Sequence, residues 1–222
     1  MPPVTLDYLE AKPASGNKAK QLVVLLHGLG ADGSDLFSLA PHIAEELPDA
    51  HCVAPHAPFP CDLAPFGRQW FSLADRSEQA ILKGLRTAQP ILENFITPLL
   101  KSLHLHERDL ALFGFSQGTM LSLHTGLRSK HAYAGILGYS GALIAPQLLE
   151  DELQSRPEIC LVHGEADEVV PFVAFEEAVT ALQKQHIFLH AYSRQNLGHG
   201  IDPAGLKIGI DFLKTVFSKV VV

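Results

Sequence analysis

The sequence predicts an α/β fold in a single domain over residues 1–222, with a mostly parallel central sheet and helices on both faces. Three observations point there. Apolar runs of strand length alternate with amphipathic helical patterns, the order that a sheet built from strand–helix–strand units requires. The run Leu22 to Leu26 is continuously apolar, as expected of a strand covered on both sides. No repeat, low-complexity tract or linker divides the 222 residues, and α/β folds of about 200–250 residues form single units.

Val4 to Leu9 alternates weakly and reads as an edge strand. After Leu22–Leu26, Ser34 is placed to cap a helix over Asp35–Leu47, where Leu36, Leu39, Ile43 and Leu47 recur at helical spacing. A short strand around Cys52–Ala54 follows. Residues 55–73 hold Pro55, Pro58, Pro60 and Pro65 and keep no period, which marks a long ordered loop of the kind that tends to carry function. Next, Ile81, Leu85, Ala88, Leu92, Phe95, Leu99 and Leu103 trace one apolar stripe. Pro90 and Pro98 interrupt it, so the segment is either one kinked helix or two in series. Leu110–Phe115 is a strand and Gln117–Leu127 a helix. Three further strands are expected at Tyr133–Tyr139, Ile159–His163 and Ile187–Tyr192, with helices at Val173–Lys184 and Ile201–Val216.

Composition excludes some functions. A net charge of −7 with no cluster of Lys and Arg argues against nucleic acid as a partner, because phosphate binding needs a basic footprint. The first twenty residues contain no apolar core of signal-peptide length, and no window approaches the length of a spanning helix. A cytoplasmic protein with no transmembrane segment is expected, its three cysteines (Cys52, Cys61, Cys160) reduced. No metal site is expected. His104 and His106 precede Glu107 and Arg108 and read as a solvated helix end. The oligomeric state stays open, a homodimer included.

The sharpest signal is Gly114-Phe115-Ser116-Gln117-Gly118. It follows a strand directly and opens a helix, and its glycines allow the tight turn that leaves a serine Oγ exposed in a strained backbone. Gly138-Tyr139-Ser140-Gly141-Ala142 also ends a strand, but it lacks the second glycine and no helix starts at once, so Ser140 reads as a loop serine. A serine hydroxyl is a weak nucleophile and needs a base. In the α/β-hydrolase fold, to which such an elbow belongs, an acid and then a histidine follow the serine along the chain. The acidic loop after Ile159–His163 offers Asp167, favoured because Pro171 fixes the loop before a helix, with Glu165 and Glu168 as alternatives. His199, flanked by Gly198 and Gly200 after the last strand, is the base. The oxyanion hole is expected to use the N–H of Gln117 and one from the loop His27–Gly33, which holds no lysine and so is no phosphate loop.

His27–Gly33 (HGLGADG), GFSQG, His163–Pro171 (HGEADEVVP) and Gly198–Ile201 (GHGI) together resemble the acyl-protein thioesterase/carboxylesterase family, over nearly the whole chain and in the same order. The resemblance implies a cytosolic esterase for short- to medium-chain carboxyl esters, with thioesters and lysophospholipids also open. It implies a small-molecule acyl ester, a lipid or an acylated protein as partner. It places the triad on Ser116, Asp167 and His199, and the oxyanion donors on Leu29 and Gln117. It also places the wall of an acyl pocket on Trp70, Phe71 and Leu73. The apolar loop 55–73 suits such a groove, though it also suits a loop that covers the core. One departure is Thr119, where the family elbow usually continues with a second glycine; this puts the close packing behind the serine in question. The chemistry implied is attack by Ser116 and an acyl-enzyme released by water, with no metal or organic cofactor. An acyltransferase would use the same triad, and a non-catalytic binding module could keep the fold alone.

Overall fold

The computed structural model describes residues 5–219. The strands are β1 (Tyr8–Ala11), β2 (Gln21–Leu26), β3 (Ala50–Pro55), the short pair β4 (Phe59–Pro60) and β5 (Arg68–Gln69), then β6 (Leu110–Phe115), β7 (Gly135–Tyr139), β8 (Glu158–Gly164) and β9 (Leu189–Arg194). The helices are α1 (Gly33–Phe37), α2 (Ala40–Glu46), α3 (Glu78–Leu103), α4 (Gln117–Arg128), α5 (Leu149–Glu152), α6 (Phe172–Lys184) and α7 (Pro203–Ser218). Seven strands form one sheet in the order β1-β3-β2-β6-β7-β8-β9, all parallel except β1, which runs antiparallel along β3.

Alternation along β2 builds the two faces. Leu22, Val24 and Leu26 pack with Leu85, Leu92 and Phe95 of α3 and Leu121 of α4. Val23 and Leu25 pack with Leu36, Ala40 and Ile43 of α1 and α2 and with Phe212 and Leu213 of α7. The chain leaves β2 toward β3 on one side and later returns as β6 on the other. The strand order therefore reverses at β2, and open α/β sheets bind ligands outside the carboxyl ends of their strands at such a reversal.

Several boundaries differ from the sequence reading for identifiable reasons. The edge strand lies at Tyr8–Ala11, shifted toward the carboxyl end of the expected one, whose Val4 falls outside the described residues. The single helix expected over 35–47 is two. Asp32, not Ser34, is the cap, its side chain accepting the Ser34 N–H at 2.8 Å. Pro41 opens the second helix, where its missing N–H costs nothing. The segment with Pro90 and Pro98 is one 26-residue helix, α3. Both prolines lie on its exposed face, as do Arg86 and Asn94, whose carbonyls lose the proline N–H as a partner. Pro146–Leu148 and α5 form short turns of helix that the sequence pattern did not signal.

Candidate active site

Ser116 joins β6 to α4 with φ 53° and ψ −114°, a left-handed conformation for a residue with a side chain. Close packing makes the turn possible. A Cβ on Gly118 would lie 1.8 Å from the Leu26 carbonyl oxygen, and one on Gly114 would lie 2.5 Å from the Thr119 nitrogen. The Ser116 N–H donates to the Tyr139 carbonyl at 2.9 Å, tying the turn to the neighbouring strand. Thr119, the departure from the family elbow, has its own accommodation. Its hydroxyl donates to the Tyr139 carbonyl at 2.8 Å and accepts the Tyr139 N–H at 3.0 Å. Its methyl and Cβ occupy space that only glycine leaves at positions 138 and 141, where an added Cβ would come within 2.5 and 2.4 Å of the threonine.

The loop after β8 turns one carboxylate inward. Asp167 is buried, whereas Glu165 and Glu168 are exposed, and Glu165 accepts the Ser193 hydroxyl at 2.6 Å. One oxygen of Asp167 accepts the N–H groups of Val169 and Val170, both at 2.9 Å. The other accepts from Nδ1 of His199 at 2.8 Å. Burial alone would raise this carboxyl, but the hydrogen bonds from His199, Val170 and Val169 outweigh it and hold the group below its ordinary value. The loop of His199 is tied to the Asp167 loop by Ala166 N–H to the Leu197 carbonyl, 3.0 Å. The imidazole also packs on the Phe115 ring at 4.8 Å between centroids.

Ser116 and His199 line one cavity of about 410 Å³ at the carboxyl ends of β2 and β6. Leu29 and Gln117 line it as well. Among the described residues neither of their amides has a backbone acceptor in the loops and turns, whereas the next one, Gly30 N–H, is committed to the Arg68 carbonyl at 2.9 Å. The remaining wall is mostly apolar, with Leu73, Ile81, Met120, Ile144 and Val170 among its members, and Asp35 and Arg76 add charge. Such an arrangement can deliver a hydroxyl to a carbonyl carbon, take its proton on a histidine ring held in one orientation, and offer N–H donors to the developing oxyanion. Among the described residues no cluster of three or more His, Cys, Asp or Glu side chains could hold a metal ion.

Of the three residues expected to wall an acyl pocket, only Leu73 lines this cavity. Trp70 is wholly buried in the core, its indole N–H donating to the His27 carbonyl at 3.0 Å. Phe71 is buried too and faces a second cavity beside α3. Three contributions escaped the sequence reading. The Gln117 side chain clamps the long loop, accepting the Trp70 N–H at 2.7 Å and donating to the Phe71 carbonyl at 2.8 Å. His163 sets Nε2 3.3 Å from Asp167 and 2.9 Å from the Val170 carbonyl, and burial lowers its proton affinity. His27 is enclosed at the end of β2. The two histidines open the HGLGADG and HGEADEVVP motifs, each ahead of a glycine at a strand end, but nothing in the sequence shows where their rings point.

The fold and the position of the serine turn define an α/β hydrolase. Among solved structures, the esterase PE8 superposes with a TM-score of 0.92 at 40% identity, covering 96% of this chain and all of that one. Acyl-protein thioesterase 2 of Zea mays shares the fold with a TM-score of 0.78 at 23% identity, covering 95% and 99% of the two chains. Acyl-protein thioesterase 1 of Yarrowia lipolytica (strain CLIB 122 / E 150) is 31% identical over 184 residues, 78% of each chain. Esterase YpfH of Escherichia coli (strain K12) is 25% identical over 201 residues, 90% of this chain and 85% of its own. The family described as Phospholipase/Carboxylesterase matches residues 11–217, and the chain belongs to it. It is a carboxylic ester hydrolase.

Proposed function

We propose that this protein hydrolyses short- to medium-chain acyl esters and thioesters through Ser116, with His199 as base and Asp167 orienting it. The observation that carries this reading is the 2.8 Å bond from His199 Nδ1 to a buried Asp167, made beside the cavity that Ser116 lines. With Nδ1 engaged, Nε2 is left to take the Ser116 proton as Oγ attacks the acyl carbon. Leu29 and Gln117 N–H groups stabilise the oxyanion of the tetrahedral intermediate. The imidazolium then protonates the leaving alcohol or thiol. Water, activated by the same ring, releases the acid and restores the serine. Beyond the substrate and water, these steps call only on the chain's own residues and need no metal or cofactor.

Leu73, Ile81, Met120 and Ile144 supply an apolar surface for the acyl chain, and a cavity of about 410 Å³ suits a chain of modest length. The name of the Yarrowia relative extends the substrate class to acylated proteins, alongside small esters and lipids. A cytoplasmic site of action fits the family resemblance, and no helix among the described residues is long and apolar enough to cross a membrane. The test is a panel of p-nitrophenyl esters of increasing chain length run beside a thioester, with fluorophosphonate labelling of wild type and Ser116→Ala. Turnover falling off at long chains, with label on wild type alone, is the expected result. Label retained by the variant would remove Ser116 from the reaction.

A further inference from the structure

We propose that His27 is a positioning residue that fixes the direction of the Leu29 N–H, the loop half of the oxyanion hole. This role rests on the esterase reading above.

His27 follows the last residue of β2 and is wholly enclosed. Its ring sits between two backbone groups of opposite kind. Nε2 lies 3.0 Å from the Ala57 nitrogen, and Nδ1 lies 2.7 Å from the Gly28 carbonyl oxygen. A backbone N–H can only donate and a carbonyl can only accept. Nε2 must therefore carry the lone pair and Nδ1 the proton, and the neutral tautomer is set without appeal to any substrate. Burial, the chief cause, lowers the ring from its ordinary 6.5 to about 4, so that this neutral form persists at neutral pH.

The consequence passes through one peptide plane. The described chain contains no cis peptide bond, and in a trans peptide the carbonyl and the following N–H point in opposite directions. Holding the Gly28 oxygen on the imidazole therefore turns the Leu29 N–H to the other side, where Gly28 and Leu29 line the cavity. The plane lies against the serine turn, since a Cβ on Gly28 would meet the Phe115 ring at 3.2 Å and the Ser116 Cβ at 3.4 Å. The preceding carbonyl, that of His27, is held separately by the Trp70 indole N–H at 3.0 Å. Both carbonyls ahead of Leu29 are thus pinned by side chains. A glycine at 28 has the freedom to rotate, and the histidine, at 2.7 Å, is the tighter of the two restraints on its carbonyl, the other being the Ala31 N–H at 3.4 Å.

Two substitutions separate this role from simple core filling. His27→Asn keeps an N–H near the Nδ1 position and loses the acceptor for Ala57. His27→Gln keeps an acceptor near Nε2 and loses the donor to Gly28. Each loses one buried hydrogen bond, so their melting temperatures should fall alike. His27→Gln should lower kcat at least about tenfold with KM nearly unchanged, because an oxyanion donor acts in the transition state and removal of one costs roughly 10²–10³. Its affinity for a trifluoromethyl ketone, which forms a tetrahedral oxyanion on the serine, should weaken in parallel. His27→Asn should recover most of both. Equal losses in the two variants, tracking the melting temperature, would overturn the proposal. So would ring ¹⁵N shifts of wild type that place the proton on Nε2, a measurement that needs no substrate. Failure of the esterase reading shows differently: wild type itself would turn over no ester, and the positioning role would fall with it.

Discussion

Ser116 and Ser140 end neighbouring strands of one sheet, both with positive φ (53° and 47°) and both buried, yet their surroundings differ in kind. A 12-residue helix begins directly after Ser116, and its side chain lines the cavity shared with His199. Ser140 is followed by no helix, does not line that cavity, and its hydroxyl has no partner among the described residues. Backbone strain is common to both turns and so cannot be what distinguishes the proposed nucleophile. The helix amino terminus, with its free N–H groups, and the opening onto a cavity shared with His199 are the features that separate them. Thr119 couples the two, bonding to both backbone groups of Tyr139 and filling the space left at Gly138 and Gly141.

The largest test of this contrast is to remove each hydroxyl. Ser116→Ala should lower kcat on the order of 10⁵–10⁶-fold in a p-nitrophenyl ester assay, since the nucleophile acts as one unit with its base. Ser140→Ala should keep near-wild-type turnover and melt no lower, because it removes an unpartnered buried group. Comparable losses at the two positions would erase the distinction. Next in size, Asp167→Asn should cost about 10⁴ in kcat, as loss of the orienting carboxylate leaves the imidazole in the wrong tautomer. Glu165→Gln and Glu168→Gln, on exposed parts of the same loop, should stay active, and a severe loss at either would move the acid along the chain.

Acid should loosen the helix that begins at Ser116, as it should the surroundings of the buried His27 and His163. His124 lies within α4, buried, with neither ring nitrogen partnered among the described residues, and burial lowers it from 6.5 to about 3. Its native value lies below its unfolded one, so the unfolded chain binds the extra proton. The stabilisation is complete above pH 6.5 and is lost as pH falls toward 3. Between pH 7 and 5 this one group should cost about 2 kcal/mol of stability. Urea melts of His124→Leu should show a flatter acid limb by that amount, and an unchanged slope would refute the assignment.

Smaller effects probe the contact between the turns and the cavity itself. Gly138→Ala should destabilise by about 1–3 kcal/mol through overpacking against the Thr119 methyl. In a Thr119→Ser background, which keeps the hydroxyl and drops the methyl, the same change should cost clearly less in a double-mutant cycle. Additive costs would mean the two residues do not press on one another. Least of all, Leu73→Ala should shift the ratio of kcat/KM for octanoyl over acetyl esters by roughly tenfold, given about 0.8 kcal/mol per buried methylene. Trp70→Ala should instead lower stability by about 3–5 kcal/mol and depress all chain lengths alike. A chain-length effect at Trp70 without loss of stability would reverse those assignments.

The order of strands and helices was legible because Leu22–Leu26, Leu110–Phe113 and Ile159–Val162 are apolar runs and the long helix α3 between them keeps one apolar stripe. The Ser116 turn was legible because a strained strand-to-helix junction needs glycines at fixed offsets. What stayed hidden depends on the direction a side chain takes after packing. Apolar content in residues 55–73 cannot say that Leu73 meets the cavity while Trp70 turns into the core. Pro90 and Pro98 look like breaks until tertiary packing puts both on the wet side of α3. The histidines at 27 and 163 carry no periodic signal, since their partners are backbone groups as far away as Ala57. Thr119 looked like a defect because the glycines that receive it lie about twenty residues on, in another turn.

The proposed base, His199, follows the last strand, and that strand is an edge. β9 pairs with β8 alone, and the loop after it carries His199, whereas β6 behind Ser116 is held between two neighbours. The serine turn is thus tied on both sides, while the proposed base depends on a strand tied on one. Fraying of one outer strand would withdraw the imidazole while the interior stays intact, so that loss of turnover need not wait for global unfolding.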